Sequence, residues 1–115
     1  MKKLCVVTIS LLFTSILSAA SESSIRVPTR VEQEIKKAAE QEWPGDYRMQ
    51  AYEIRTQTQS YRKIESWTRK MRRTKDRQVC KQIGSDAKQE WPGDYRMQWY
   101  QIRTQMKSYR ALTDS

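Results

Sequence analysis

Few side chains in this sequence are equipped for catalysis. Its 115 residues hold no histidine, two cysteines, and 13 carboxylates against 22 lysines and arginines. Without a ring base, no conventional serine or cysteine triad can be assembled, and Cys80 has no imidazole to activate its thiol. Glu42 with Asp46, and Glu90 with Asp94, are residue types that cleave glycans as acid and base. Both pairs straddle a turn, in a chain with little core in which to shape a cleft or raise a carboxylate's pKa. A lone mature cysteine and scattered acids make no recognisable metal site. These residues point to a protein that works by binding and is not an enzyme, with no cofactor, metal or small-molecule substrate.

The residues suited to binding are more orderly. Gln41 to Gln50 reads QEWPGDYRMQ, and Gln89 to Gln98 reads the same string 48 positions later. Over Gln41 to Arg62 against Gln89 to Arg110, 18 of 22 positions agree, the exceptions being Ala51/Trp99, Glu53/Gln101, Thr58/Met106 and Gln59/Lys107. The chain is an internal duplication, and its period fits neither tetratricopeptide nor ankyrin repeats. Tryptophan, tyrosine and arginine are enriched where binding energy concentrates. Trp43, Asp46, Tyr47 and Arg48, with Trp91, Asp94, Tyr95 and Arg96, are therefore candidate paired surface sites. The plainer alternative makes each of them structural, with tryptophan covering the end of the core, proline and glycine shaping a turn, and aspartate capping a helix.

Arginines form a second pattern. Arg48, Arg55, Arg62 and Arg69 recur every seven residues, and Arg96, Arg103 and Arg110 echo them. On a helix this spacing keeps a row on one face, one guanidinium about every 10.5 Å. Arg55, Arg62, Arg69, Arg103 and Arg110, with Arg72 and Arg73 between the repeats, are candidate anion-binding residues, because guanidinium grips phosphate and carboxylate well. The alternative is a solvated flank whose arginine stems cover a packed seam and whose heads pair with Glu53, Glu65 or other acids.

The elements that must position these residues can be read from periodicity. Val31, Ile35, Ala38 or Ala39, and Trp43 follow helical spacing, and the residue before Pro44 is pushed out of the helical region. Pro44 and Gly45 suit the centre of a type II turn, and Asp46 follows as an N-cap. Tyr47, Ala51, Ile54, Thr58 and Tyr61 then mark the seam of a longer helix, matched by Tyr95, Trp99, Ile102, Met106 and Tyr109. Each repeat is thus a helical hairpin, residues 31–64 and 79–115, joined by a basic connector over 65–78 that keeps some helical spacing. Gly84 and Ser85 interrupt the pattern near the third helix. Two hairpins are too few for an open solenoid, so an all-α fold of two tandem hairpins closing as a small four-helix bundle is expected. Bulky Trp99 and Met106 opposite small Ala51 and Thr58 suggest that the long helices interdigitate with Trp99 near Ala51.

Destination is legible at the start of the chain. Lys2 and Lys3, an apolar run from Leu4 to Leu17, and Ser18-Ala19-Ala20 have the layout of a secretory signal peptide cleaved near Ala20. The run is shorter than the roughly 20 residues of a membrane span. Removing residues 1–20 takes two lysines and no acid, lowering the formal charge from +9 to +7. A polar leader over 21–30, containing Pro28, is expected to be flexible. After cleavage only Cys80 remains, so it is either buried and inert or bridged to another molecule. The resulting expectation is a secreted or periplasmic protein that binds a protein of the cell envelope, as an inhibitor or immunity-type factor would. The other expectation is a cationic protein that adsorbs to anionic lipid or envelope polymer. A homodimer is compatible with either.

Overall fold

The structure, a computed structural model, describes Glu22 and residues 24–114; the signal peptide expected over residues 1–20 lies outside the described residues. These form four helices: α1 (Thr29–Glu42), α2 (Tyr47–Met71), α3 (Arg77–Glu90) and α4 (Tyr95–Thr113). The protein is all-α, two tandem hairpins packed as a small four-helix bundle. No helix among the described residues is long and apolar enough to cross a membrane.

Local sequence accounts for each hairpin. In α1 the residues Val31, Ile35 and Ala39, spaced by four, are all buried. The helix ends at Glu42, and Trp43 leaves the helical region at φ −124, ψ 61, as the following proline requires. Gly45 then takes φ +77, and the Asp46 amide donates to the Trp43 carbonyl at 3.1 Å to close the turn. The second turn is a copy, with Gly93 at φ +76 and Asp94 N donating to Trp91 O at 3.2 Å. Helix α2 runs unbroken to Met71, so the basic stretch 65–78 is helical at both ends and leaves the helices only over residues 72–76. Gly84 sits within α3 without interrupting it, packed close to the Trp67 ring.

The expected flexible leader is docked from Ile25 onward. Ile25 and Val27 are 3% and 6% exposed, and Arg62 Nε donates to the Ile25 carbonyl at 3.3 Å. Two apolar residues at i and i+2 of an extended segment point to one side, so both reach the helices. Val27, Val31 and Ile35 form a small core with Ile54, Tyr61 and Tyr95. The larger core gathers Ile64, Cys80, Ala87, Ile102 and Met106, flanked by Trp67 and Trp99.

Helix α2 is the hub, with α1, α3 and α4 all packed on it and α3 also packed on α4. Gln57 meets Tyr95, while Ile64 packs further along with Ile102 and Met106. The sequence therefore increases in the same direction on both, and α2 and α4 run parallel. Tyr95, the counterpart of Tyr47, lies at the level of Gln57, ten residues further along α2, or about 15 Å by helical rise. This stagger corrects the expected meeting of Trp99 with Ala51: Ala51 is exposed, and Trp99 packs against the Ile64 and Met106 core. The body measures 57 × 36 × 22 Å, and its thin dimension is about two helix diameters.

Candidate cationic groove and inter-repeat junction

The shared WPGDYRMQ string first builds its own turn. Asp46 Oδ1 accepts from Met49 N at 3.1 Å, and Asp94 Oδ1 accepts from Met97 N at 3.2 Å, each carboxylate capping the following helix. Gln50 Nε2 reaches back to Trp43 O at 2.8 Å, and Gln98 Nε2 to Trp91 O at the same distance. Tryptophan, proline, glycine, aspartate and the last glutamine thus serve the turn itself in both copies. Both arginines, Arg48 and Arg96, are exposed, but the aspartate and tyrosine differ between the copies. Tyr47 is 79% exposed and Asp46 and Arg48 lie open beside it, whereas Asp94 and Tyr95 are half-buried against the first repeat. The two turns therefore present unequal surfaces.

Gln57 makes the difference. Its Oε1 accepts from Tyr95 N at 2.8 Å and from Arg96 N at 3.2 Å, taking up two amides at the start of α4. Its Nε2 donates to Asp94 Oδ1 and to Glu53 Oε1, both at 3.0 Å. The Tyr95 ring meets Tyr61 edge to face, with centroids 5.2 Å apart. Glu53 is thereby occupied, and Trp43 Nε1 is buried with no hydrogen-bond partner. In the second repeat Gln101 stands at the matching position and accepts from Trp91 Nε1 at 2.8 Å.

The arginine rows separate in space. Arg48, Arg55 and Arg69 are exposed on α2, and Arg62 is half-buried on the leader carbonyl. Arg72 and Arg73 are exposed in the 72–76 connector. On α4, Arg96, Arg103 and Arg110 line two adjoining cavities between α2 and α4, of about 550 and 360 Å³, which share Trp99 and Arg103. Lys63 enters the first and Lys107 the second, while Trp67, Tyr100 and the hydroxyls of Thr56 and Ser60 complete the walls. The lining includes no carboxylate. The Arg103 guanidinium lies 5.9 Å from the Trp99 ring centroid, a cation–π position that holds its head at the groove. None of Arg48, Arg55, Arg62 or Arg69 lines it. The expected pairing of arginine heads with Glu53 or Glu65 is absent among the described residues, where the ion pair found is Arg30 with Glu34 at 3.0 Å.

A third cavity, of about 650 Å³, lies between α2 and α3, with Trp67, Cys80 and Gly84 among its walls and Arg72, Arg77, Lys81 and Lys88 around it. Cys80 is a free thiol, 2% exposed, with its sulfur 3.8 Å from that of Met106. Burial, and next Asp76, push its pKa up, so the reactive thiolate is disfavoured. Burial also raises Tyr61 and Tyr95, while the hydrogen bond from the Tyr109 hydroxyl to Asp76, at 2.8 Å, raises Tyr109.

Periodicity leads to the arginines of α4 but not to Gln57 or Lys63. Gln57 carries no signal beyond its recurrence as Gln105, and a polar residue seen twice at one repeat position looks like surface. Trp99 stands out because it replaces Ala51. Compared with protein families, characterised proteins and solved structures, the chain matches none of them.

Proposed function

We propose that the protein is an exported, non-enzymatic binding protein whose α2–α4 groove seats a polyanionic chain of the cell envelope or its surroundings. One observation carries this reading: Lys63, Arg96, Arg103, Lys107 and Arg110 line adjoining cavities floored by Trp67 and Trp99, with no carboxylate among the lining residues. Arginine presents planar donors to phosphate, sulfate or carboxylate, and the seven-residue spacing on α4 sets heads about 10.5 Å apart along the groove. Tryptophan and tyrosine add apolar surface that a polymer backbone can cover. A flat anionic membrane would engage the outer α2 row as readily as the groove; a chain-like ligand selects the groove.

The test is a titration with a soluble sulfated polysaccharide and with polyphosphate, following tryptophan emission at low salt and at roughly 0.15 M salt. Binding should weaken as salt rises. Arg103→Gln should lower affinity about tenfold, while Arg55→Gln, outside the groove, should change it less than about twofold. Equal losses from the two substitutions, or salt-independent binding, would count against the groove. A second reading, docking to an envelope protein in the manner of an inhibitor or immunity-type factor, is favoured by the open Asp46-Tyr47-Arg48 corner. A photo-reactive group at Tyr47 would capture such a partner, and one at Tyr95 would not.

A further inference from the structure

The contact between the two repeats is made once inside the chain, and both of its halves recur: the corner open, and the seat with its two polar residues open while Tyr109 is half-buried with its hydroxyl on Asp76 and Ile102 is buried in the larger core. The seat on the first repeat is Gln57, Ser60 and Tyr61, walled by Val31, Ile35 and Ile54. Forty-eight residues later the same positions hold Gln105, Ser108 and Tyr109, with Val79, Ile83 and Ile102. Gln105 and Ser108 are exposed, and Tyr109 is half-buried. The corner that fills the first seat is Asp94-Tyr95-Arg96, and its twin, Asp46-Tyr47-Arg48, projects from the other repeat with Tyr47 79% exposed.

The internal contact joins unlike surfaces by a translation, since α2 and α4 are parallel and staggered. A contact of that kind does not close on itself by a two-fold axis; repeated between molecules, it builds an open series, or a ring where the rotation closes. We propose that the protein associates head to tail with a second copy of itself, the Asp46-Tyr47-Arg48 corner of one copy seating on Gln105, Ser108 and Tyr109 of the next. Gln105 then takes the place of Gln57, accepting from the amides at the start of α2, and the Tyr47 ring meets Tyr109 as Tyr95 meets Tyr61. The occupant follows from the duplication: the only shape shown to fit such a seat is the DYR corner, and this chain carries an exposed one.

The differences between the copies set the strength. Trp99 and Met106 of the internal contact become Ala51 and Thr58, and the Val27 wall becomes Lys75. The contact between molecules buries less apolar surface and lacks the effective concentration of a tethered neighbour, so it forms reversibly. Its affinity falls in the micromolar to millimolar range, on the order of small transient interfaces.

Sedimentation velocity of the mature chain, residues 21–115, in the absence of any polyanion, tests this independently of the groove. The weight-average sedimentation coefficient should keep rising with concentration past the dimer value. Tyr47→Arg removes the corner and keeps the seat; Gln105→Arg blocks the seat and keeps the corner. Each variant alone should remain monomeric, and an equal mixture should form one-to-one dimers and nothing larger. Both positions are exposed, and circular dichroism matching the original chain verifies that each variant folds. Tyr47→Phe retains the ring and should associate as the original does. A chain that stays monomeric to millimolar concentration would overturn the proposal, as would one that stops at a symmetric dimer, a variant that still self-associates, or a mixture that fails to pair.

Discussion

One residue type in one repeat position does two jobs here. Gln57 is 7% exposed and holds the Asp94 carboxylate and the Tyr95 and Arg96 amides, whereas Gln105, its counterpart, is exposed. Removing the Gln57 amide leaves the half-buried Asp94 and Tyr95 groups without their partner, which costs about 1 to 3 kcal/mol, while Gln105→Ala should stay within about 0.5 kcal/mol. Urea unfolding of Gln57→Ala and Gln105→Ala in dilute solution measures the contrast. Similar losses would mean that the α2–α4 junction does not anchor the second repeat. Little in the sequence separates the two glutamines: each ends the same IRTQ string and is followed by the same SYR after two differing residues. Their environments come from what lies across the junction, which a one-dimensional comparison does not contain.

At the scale of elements the turns are the most legible part of the chain. Tryptophan before proline, glycine at positive φ and aspartate as N-cap are all readable, because each acts on backbone within four residues of itself. Gly45 and Gly93 have nothing within 4 Å of where a Cβ would stand, so an alanine there meets conformational strain alone. Gly45→Ala and Gly93→Ala should each cost about 1 to 2 kcal/mol, and nearly the same as one another, although Asp94 and Tyr95 after the second glycine are half-buried against the first repeat. Thermal unfolding of the two variants checks this; a large difference would show that the second turn's packing depends on its glycine. Helix extents are partly legible. The helical spacing of Ile64, Trp67 and Met71 carries the second helix past Lys70 before charge density loosens the chain, and α2 does reach Met71, all three packing on the α3–α4 core.

For the whole molecule, the tyrosines link fold stability to pH. Burial holds the Tyr61 and Tyr95 hydroxyls above their usual range, and the Asp76 hydrogen bond does the same for Tyr109. The folded chain therefore keeps protons that the unfolded chain releases from about pH 10 upward. A state that binds more protons loses ground as they become scarce, so this stabilisation is complete below that pH and declines as pH climbs through the folded values. The urea midpoint should fall as pH rises above about 10, and the Tyr61→Phe, Tyr95→Phe double variant should fall less steeply. An unchanged slope would mean that other groups control the alkaline transition.

Sequence alone determined the duplication, the all-α class, both turns with their caps, and the seven-residue arginine rows, since each depends on neighbours along the chain. Tertiary structure decided the parallel stagger of α2 and α4. That one displacement half-buries Asp94 and Tyr95 and leaves Asp46 and Tyr47 open, draws Lys63 beside the α4 arginines, and keeps the α2 row out of the groove. Identical strings carry identical local instructions. Which copy is buried depends on where the other repeat comes to rest, a matter of shape and hydrogen-bond partners between segments some 38 residues apart.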